Sequence, residues 1–72
     1  MKTCAEYREL SRIAAHNLDW NLAAEYLEMA VNVYPGKSKA MPGTLAHADI
    51  TAMSRKACEY RDVALYEENA RG

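Results

Sequence analysis

Apolar residues recur at spacings of three and four along most of this 72-residue chain, which is the pattern of amphipathic helices. Half of the residues are hydrophobic and many of these are alanine, which favours helix because it loses no side-chain entropy there. β-Branched residues are sparse, which argues against a sheet. The predicted fold is therefore all-α, and the length allows one domain over residues 1–72.

Two short helices are predicted first. Thr3 and Glu6 form a capping-box pattern at the start of a helix from about residue 4 to 16. A tight turn over residues 17–19 follows, and Asp19 is a good N-cap for a second helix from residue 20 to about 33. The two helices form a hairpin, and the second is apolar enough to pack between two neighbours. The predicted hairpin core is Tyr7, Leu10, Ala14, Trp20, Ala23, Leu27 and Ala30.

A third, longer helix follows a Pro/Gly loop at residues 35–43, where Pro35 stops the second helix. Thr44 is a plausible N-cap, and no glycine or proline interrupts the chain from about residue 45 to 69. Such a helix is about 37 Å long, whereas the first two are about 21 Å each. Nearly half of it must therefore be exposed, disordered or packed on another chain.

The apolar positions of this third helix form a heptad seam, with separations of four and three residues in alternation. The seam is Ala46, Ile50, Met53, Ala57, Tyr60 and Ala64. In one interpretation the seam packs on its own hairpin; in the other, its distal part around residues 60–66 contacts another chain, and both can hold on different stretches. The predicted partner-binding or oligomer residues are Ile50, Met53, Ala57, Tyr60, Ala64, Tyr66 and Tyr34.

The charge balance bears on the kind of partner. The net charge is −1, and most DNA-binding domains of this size are strongly basic. If residues 14–30 were a helix-turn-helix, Glu25 and Glu28 would face the phosphates and be repelled. Another protein, including a second copy of the chain, is therefore the predicted partner, and a regulator that contacts DNA directly is the alternative.

No group of residues predicts catalysis, a metal site or a cofactor. Cys4, His16, His47 and Cys58 are scattered singly, whereas zinc ligands come in close pairs. Two distant cysteines are expected to be reduced. Because polar and charged residues follow Met1 at once, no signal peptide is expected, and no apolar run approaches the roughly 20 residues of a membrane span. These features predict a cytoplasmic protein that is neither an enzyme nor a membrane protein.

Residues 7–35 resemble a single tetratricopeptide repeat. The matching residues are Tyr7, Leu10, Ser11, Trp20, Ala23, Leu27, Ala30 and Pro35. The resemblance implies two antiparallel helices, with Ser11, Ala23 and Ala30 as small contacts between them. Leu18 stands where a glycine is usual in the turn, and Ala14 where an aromatic residue is usual. Stable arrays need about three repeats, and this chain has room for one.

The chain also resembles short helical regulators of enterobacterial phages and plasmids, the PerC-type activators and the AraC-negative-regulator type. Residues 19–24, Leu27, Ala30 and the segment 55–58 carry this resemblance. The chain departs from it in having Leu27 where a tryptophan is common, in its Pro/Gly loop and in its C-terminal extension. The resemblance implies a small regulator, encoded by a phage or mobile element, that acts through a helical surface on a host or regulatory protein.

Overall fold

Three helices make up the protein in a computed structural model that describes residues 2–71. They are α1 (Cys4–His16), α2 (Trp20–Asn32) and α3 (Leu45–Arg71), with a 3₁₀ turn at Lys37–Lys39. No strand occurs among these described residues. The prediction of an all-α fold, with a hairpin and a long third helix, is confirmed.

Each helix begins directly after its predicted capping residue. At α1, Thr3 Oγ1 accepts a hydrogen bond from the Glu6 amide at 3.2 Å, and the Glu6 carboxylate accepts one from the Thr3 amide at 3.1 Å. The hydrogen bond from the Thr3 backbone amide, and then that from the Thr3 hydroxyl, lowers the pKa of Glu6. Asp19 caps α2 at 3.4 Å and Thr44 caps α3 at 3.1 Å, each by accepting from an amide in the first turn. These bonds satisfy donors that have no partner within the helix.

The turn between α1 and α2 has the geometry of a Schellman motif. The Asp19 amide donates to the Ala14 carbonyl at 2.8 Å, and the Leu18 amide donates to the Ala15 carbonyl at 3.0 Å. Leu18 has a φ of +63° and its side chain is 64% exposed. Glycine is usual here because this left-handed conformation costs other residues roughly 1–2 kcal/mol.

The predicted position of α2 between two other helices is also confirmed, since it packs on both α1 and α3. The contact with α1 contains a buried hydrogen bond from Ser11 Oγ to the Ala23 carbonyl, 2.7 Å long. A second set of buried residues joins α2 to α3. That core cluster is Ala24, Leu27, Ala30, Met53 and Ala57.

The hairpin core is built mainly from small residues. Of the predicted core, the small members and Leu27 are buried, while Tyr7, Leu10 and Trp20 are only half-buried. Ser11 has the largest fully buried side chain of the described residues, at 2% exposure. Small side chains let the helices approach closely, so the larger apolar groups lie toward the outside of the contact.

The three helices form a thin layer. The Cα trace extends 43 × 25 × 14 Å, and its radius of gyration is 13.1 Å, against about 11 Å for a compact chain of this length. With 27 residues, α3 is about 40 Å long and twice the length of either neighbour. Apolar side chains near its ends are accordingly open to solvent, with Leu45 86% and Tyr66 75% exposed. No helix within residues 2–71 is both long and apolar enough to cross a bilayer.

Candidate interaction surfaces

Most of the heptad seam of α3 lies against α2 of the same chain. Met53 and Ala57 are 5% and 4% exposed within the core cluster. Ile50 and Tyr60 are half-buried and pack against that cluster, and Ala64 is half-buried beyond them. The buried part of the seam therefore offers little surface to another molecule.

The two remaining predicted partner residues lie at opposite ends of α3. Tyr34 donates a hydrogen bond from Oη to Asp49 Oδ2 at 2.6 Å, which ties the end of α2 to the start of α3. This bond, then burial and the Asp49 charge, raises the pKa of Tyr34. Tyr66 is about 180° around α3 from Ala57 and points away from α2. Among the seven predicted partner residues, it alone is exposed.

A groove opens between α1 and α3, with Leu27 of α2 at its floor. One part is a cavity of 430 Å³ and the other a cavity of 300 Å³, and the two share Arg8, Leu27 and Lys56. We call the continuous surface the central groove. Its lining is Ala5, Arg8, Glu9, Ser11, Arg12, Leu27, Asp49, Ala52, Met53, Lys56 and Tyr60.

The α1 wall of the central groove carries two arginines, of which one is in an ion pair and the other is not. Arg12 forms an ion pair with Glu9 on the same helix. Their hydrogen bond lowers the pKa of Glu9 and raises that of Arg12. Arg8 forms no ion pair with any carboxylate in the described part of the chain. Its guanidinium is therefore available to an anionic group that enters the groove.

The α3 wall carries an aromatic residue, Tyr60, and a cationic residue, Lys56. The rings of Tyr60 and Trp20 lie 5.8 Å apart, and Lys56 Nζ lies 5.3 Å from the Tyr60 ring centroid. Lys56 also contacts Glu59 at 3.3 Å. The buried Trp20 Nε1 donor has no acceptor within residues 2–71. The only tryptophan of the chain thus contacts a residue that lines the groove.

A second surface lies on the other side of α2 and was missed in the sequence. Leu22, Tyr26, Met29 and Val33 are spaced four, three and four residues apart and lie about 100–160° around the helix from Leu27. Met29 is 41% exposed, and the other three are half-buried. Their spacing is the signal in the sequence, and the predicted hairpin core does not include these four residues. We call these four residues the outer stripe.

Helix α1 continues the apolar surface beside the outer stripe. Ile13 is 44% exposed and Leu10 is half-buried on the side of α1 that faces away from the central groove. The rings of Tyr7 and Tyr26 lie 6.3 Å apart, which places the α1 residues next to the stripe. The two sides of the hairpin therefore differ, because one is lined by charged side chains and the other is apolar.

The cysteines and histidines do not form a chemical centre. Cys4 is half-buried and Cys58 is exposed, and both are free thiols. Cys58 lines a cavity of 350 Å³ between α2 and α3, beside the ion pair of Arg61 with Glu28. Within residues 2–71, no three His, Cys, Asp or Glu side chains converge as metal ligands would. Comparisons with protein-family models, with curated proteins and with solved structures find no match for this chain.

Proposed function

We propose that this protein is a small protein-binding regulator that receives an acidic, partly apolar segment of another protein in the central groove. The observation that carries the proposal is the unpaired Arg8 beside the apolar floor at Leu27. An apolar floor supplies contact area, while a cation on the wall selects the charge and register of the bound segment.

The groove suits a polypeptide segment because it is long, open and mixed in character. Leu27 and the Tyr60 ring supply apolar contact, and Arg8 and Lys56 supply hydrogen-bond donors. Tyrosine and arginine are enriched among the residues that dominate protein interfaces. The resemblance to small phage and plasmid regulators supports a host or regulatory protein as the source of the segment.

The first test uses Arg8→Glu with Arg55→Glu as its matched control. Both arginines are exposed helical residues without an ion pair in the described chain, but Arg55 lines neither part of the groove. Tagged wild-type protein is expected to retain specific proteins from a bacterial lysate, quantified by mass spectrometry. Arg8→Glu is expected to lose them by about tenfold or more, and Arg55→Glu to keep them.

Equal retention by both variants, or no retention by the wild type, would contradict the role of the groove. Circular dichroism spectra of both variants should match the wild type, so that a loss of binding is separated from a loss of fold.

A second test uses defined peptides and the emission of Trp20, which contacts Tyr60 in the groove wall. An acidic amphipathic helical peptide is expected to change the emission in a saturable way that weakens with salt. A peptide with lysine in place of each acidic residue is the control and should give no saturation. Indistinguishable responses to both peptides would show that the groove does not select negative charge.

Direct DNA contact is the alternative, and a mobility shift at low salt tests it. Asn21, Glu25 and Glu28 are exposed along α2, so a phosphate backbone there would meet the carboxylate of Glu25 and the ion pair of Glu28 with Arg61. We expect no shift of a duplex. A shift that falls steeply with salt would replace the protein-binding proposal with the DNA-binding one.

A further inference from the structure

We infer that a second copy of this chain docks on the outer stripe, so that two α2 helices pair antiparallel and two hairpins form a four-helix dimer. This contact uses the side of α2 that faces away from the central groove. It therefore stands independently of the proposed function and leaves the groove open in each copy.

The spacing of the outer stripe is self-complementary. Separations of four, three and four residues match the a and d positions of a heptad, which keep one face toward a partner helix. In an antiparallel pair with a two-fold axis near the middle of α2, Tyr26 meets Met29 of the second copy and Leu22 meets Val33. Contacts between a thioether and an aromatic ring are favourable. Each of the four residues thus meets a different apolar residue, and the pattern closes on itself.

The residues beside the stripe are compatible with this pairing. Glu25 and Asn32 occupy the flanking positions on the side away from α1, and both are exposed. In the antiparallel register, Glu25 of one copy comes next to Asn32 of the other, where the carboxylate can accept from the amide. On the other flank, Leu10 and Ile13 of α1 reach Val33 of the second copy and widen the apolar contact.

The exposed area of the whole chain is larger than that of a compact monomer. The accessible surface is 5225 Å², against about 4500 Å² for a compact monomer of this mass. The excess of about 700 Å² belongs to the whole chain, including the open ends of α3, and is of the same order as the roughly 800 Å² that each partner buries in a standard interface. Small domains of this length also commonly need a partner subunit to reach adequate stability.

The test is light scattering and sedimentation equilibrium of the full chain and four single variants. The wild type is expected to be a dimer at about 100 µM and to dissociate on dilution. Met29→Glu places a carboxylate at the centre of the stripe and is expected to weaken the dimer by more than about tenfold. Ile13→Glu, on α1, should weaken it in the same direction. Met41→Glu is the matched control, because Met41 is 66% exposed in the loop, and it should remain dimeric.

Two results would overturn the inference. One is a wild type that stays monomeric at about 100 µM. The other is a dimer that survives both Met29→Glu and Ile13→Glu but is lost in Tyr66→Glu, which would place the interface on α3. Met29 and Ile13 are partly exposed, so unchanged helical content in both variants is expected and should be measured alongside. Neither result bears on the central groove, because peptide binding by Arg8 is measured separately.

Discussion

Helix α2 makes two contacts that differ in how they are specified. Its contact with α1 joins neighbours in sequence through a three-residue turn and surrounds the buried Ser11 hydroxyl. Its contact with α3 follows a connection of residues 33–44 and depends on larger side chains such as Leu27 and Met53.

Polar links reinforce the α3 contact at its surface. Tyr34 bonds Asp49 near one end, and Glu28, in the middle of α2, pairs with Arg61. Both links are on the protein surface, where ion pairs contribute little and geometry matters more. The hairpin is therefore fixed by local geometry, whereas the docking of α3 depends on apolar burial between distant parts of the chain.

The largest effect is expected from Met53→Ala, which breaks the α3 contact. Met53 is 5% exposed between α2 and α3, and truncation of a buried methionine costs about 2–5 kcal/mol. The free energy of unfolding, measured in urea at one fixed protein concentration, should fall by that amount. Met41→Ala is the control, because Met41 is exposed, and it should change stability by less than about 0.5 kcal/mol. Equal effects would mean that Met53 is not buried by α2.

A smaller effect is expected from Ser11→Ala, which acts on the hairpin contact. The variant loses the 2.7 Å bond from the Ser11 hydroxyl to the Ala23 carbonyl, worth about 1 kcal/mol. Ser54→Ala makes the same change at an exposed position of α3 and shares the gain in helix propensity. The difference between the two unfolding free energies isolates the buried bond. No difference would show that this bond adds nothing to the hairpin.

Leu18→Gly is expected to raise the stability of the protein, because it relieves strain in the turn between α1 and α2. Glycine removes the cost of the positive φ but loses more entropy on folding, so a net gain of about 0.5–1 kcal/mol is expected. Thermal unfolding followed by circular dichroism measures it. Asn17→Gly is the control, because Asn17 has a φ of −87° and gains no relief. A loss of stability in Leu18→Gly would show that the exposed leucine side chain contributes contacts of its own.

The smallest expected effect is a pH dependence of the stability that the contact between α2 and α3 provides. The pKa of Tyr34 is raised above its ordinary value of 10.0, chiefly because its hydroxyl donates to Asp49. Because the pKa of Tyr34 is higher in the folded state, its hydrogen bond stabilises the protein fully at pH values below the pKa of the unfolded state. That stabilisation is lost as the pH rises through the pKa of the folded state.

Urea unfolding at several pH values should therefore show that wild type and Tyr34→Phe converge as the pH rises above about 10. Tyr66→Phe is the control, since Tyr66 is 75% exposed, and its difference from wild type should not vary with pH. A constant difference for Tyr34→Phe would rule out the bond to Asp49.

The sequence was informative where structure is decided locally. Thr3, Asp19 and Thr44 predicted all three helix starts, because a capping side chain bonds to amides only a few residues away. The seam was likewise recognised as one face of α3, but spacing alone cannot say which neighbour covers a face. Met53 and Ala57 therefore fit both interpretations of the seam, as a partner surface and as packing on the hairpin, and the structure buries them against α2.

The central groove could not be predicted, because it arises from the angles at which α1 and α3 pack on α2. Those angles depend on how closely Ala23 and Ala24 allow their neighbours to approach, and both are fully buried. Arg8 and Lys56 are distant in sequence and share a groove only in the folded chain. The outer stripe, by contrast, was present in the spacing and could have been recognised.

The thinness of the helical layer also determines how the protein responds to heat. With 72 residues, the enthalpy of unfolding is expected to be at most about 50 kcal/mol, because a single layer removes less apolar surface from water than a two-layer domain does. A small enthalpy spreads melting over a wide temperature range and gives a low heat-capacity peak. A monomer of this shape would begin to open well below its midpoint, so its working temperature depends on what covers its faces.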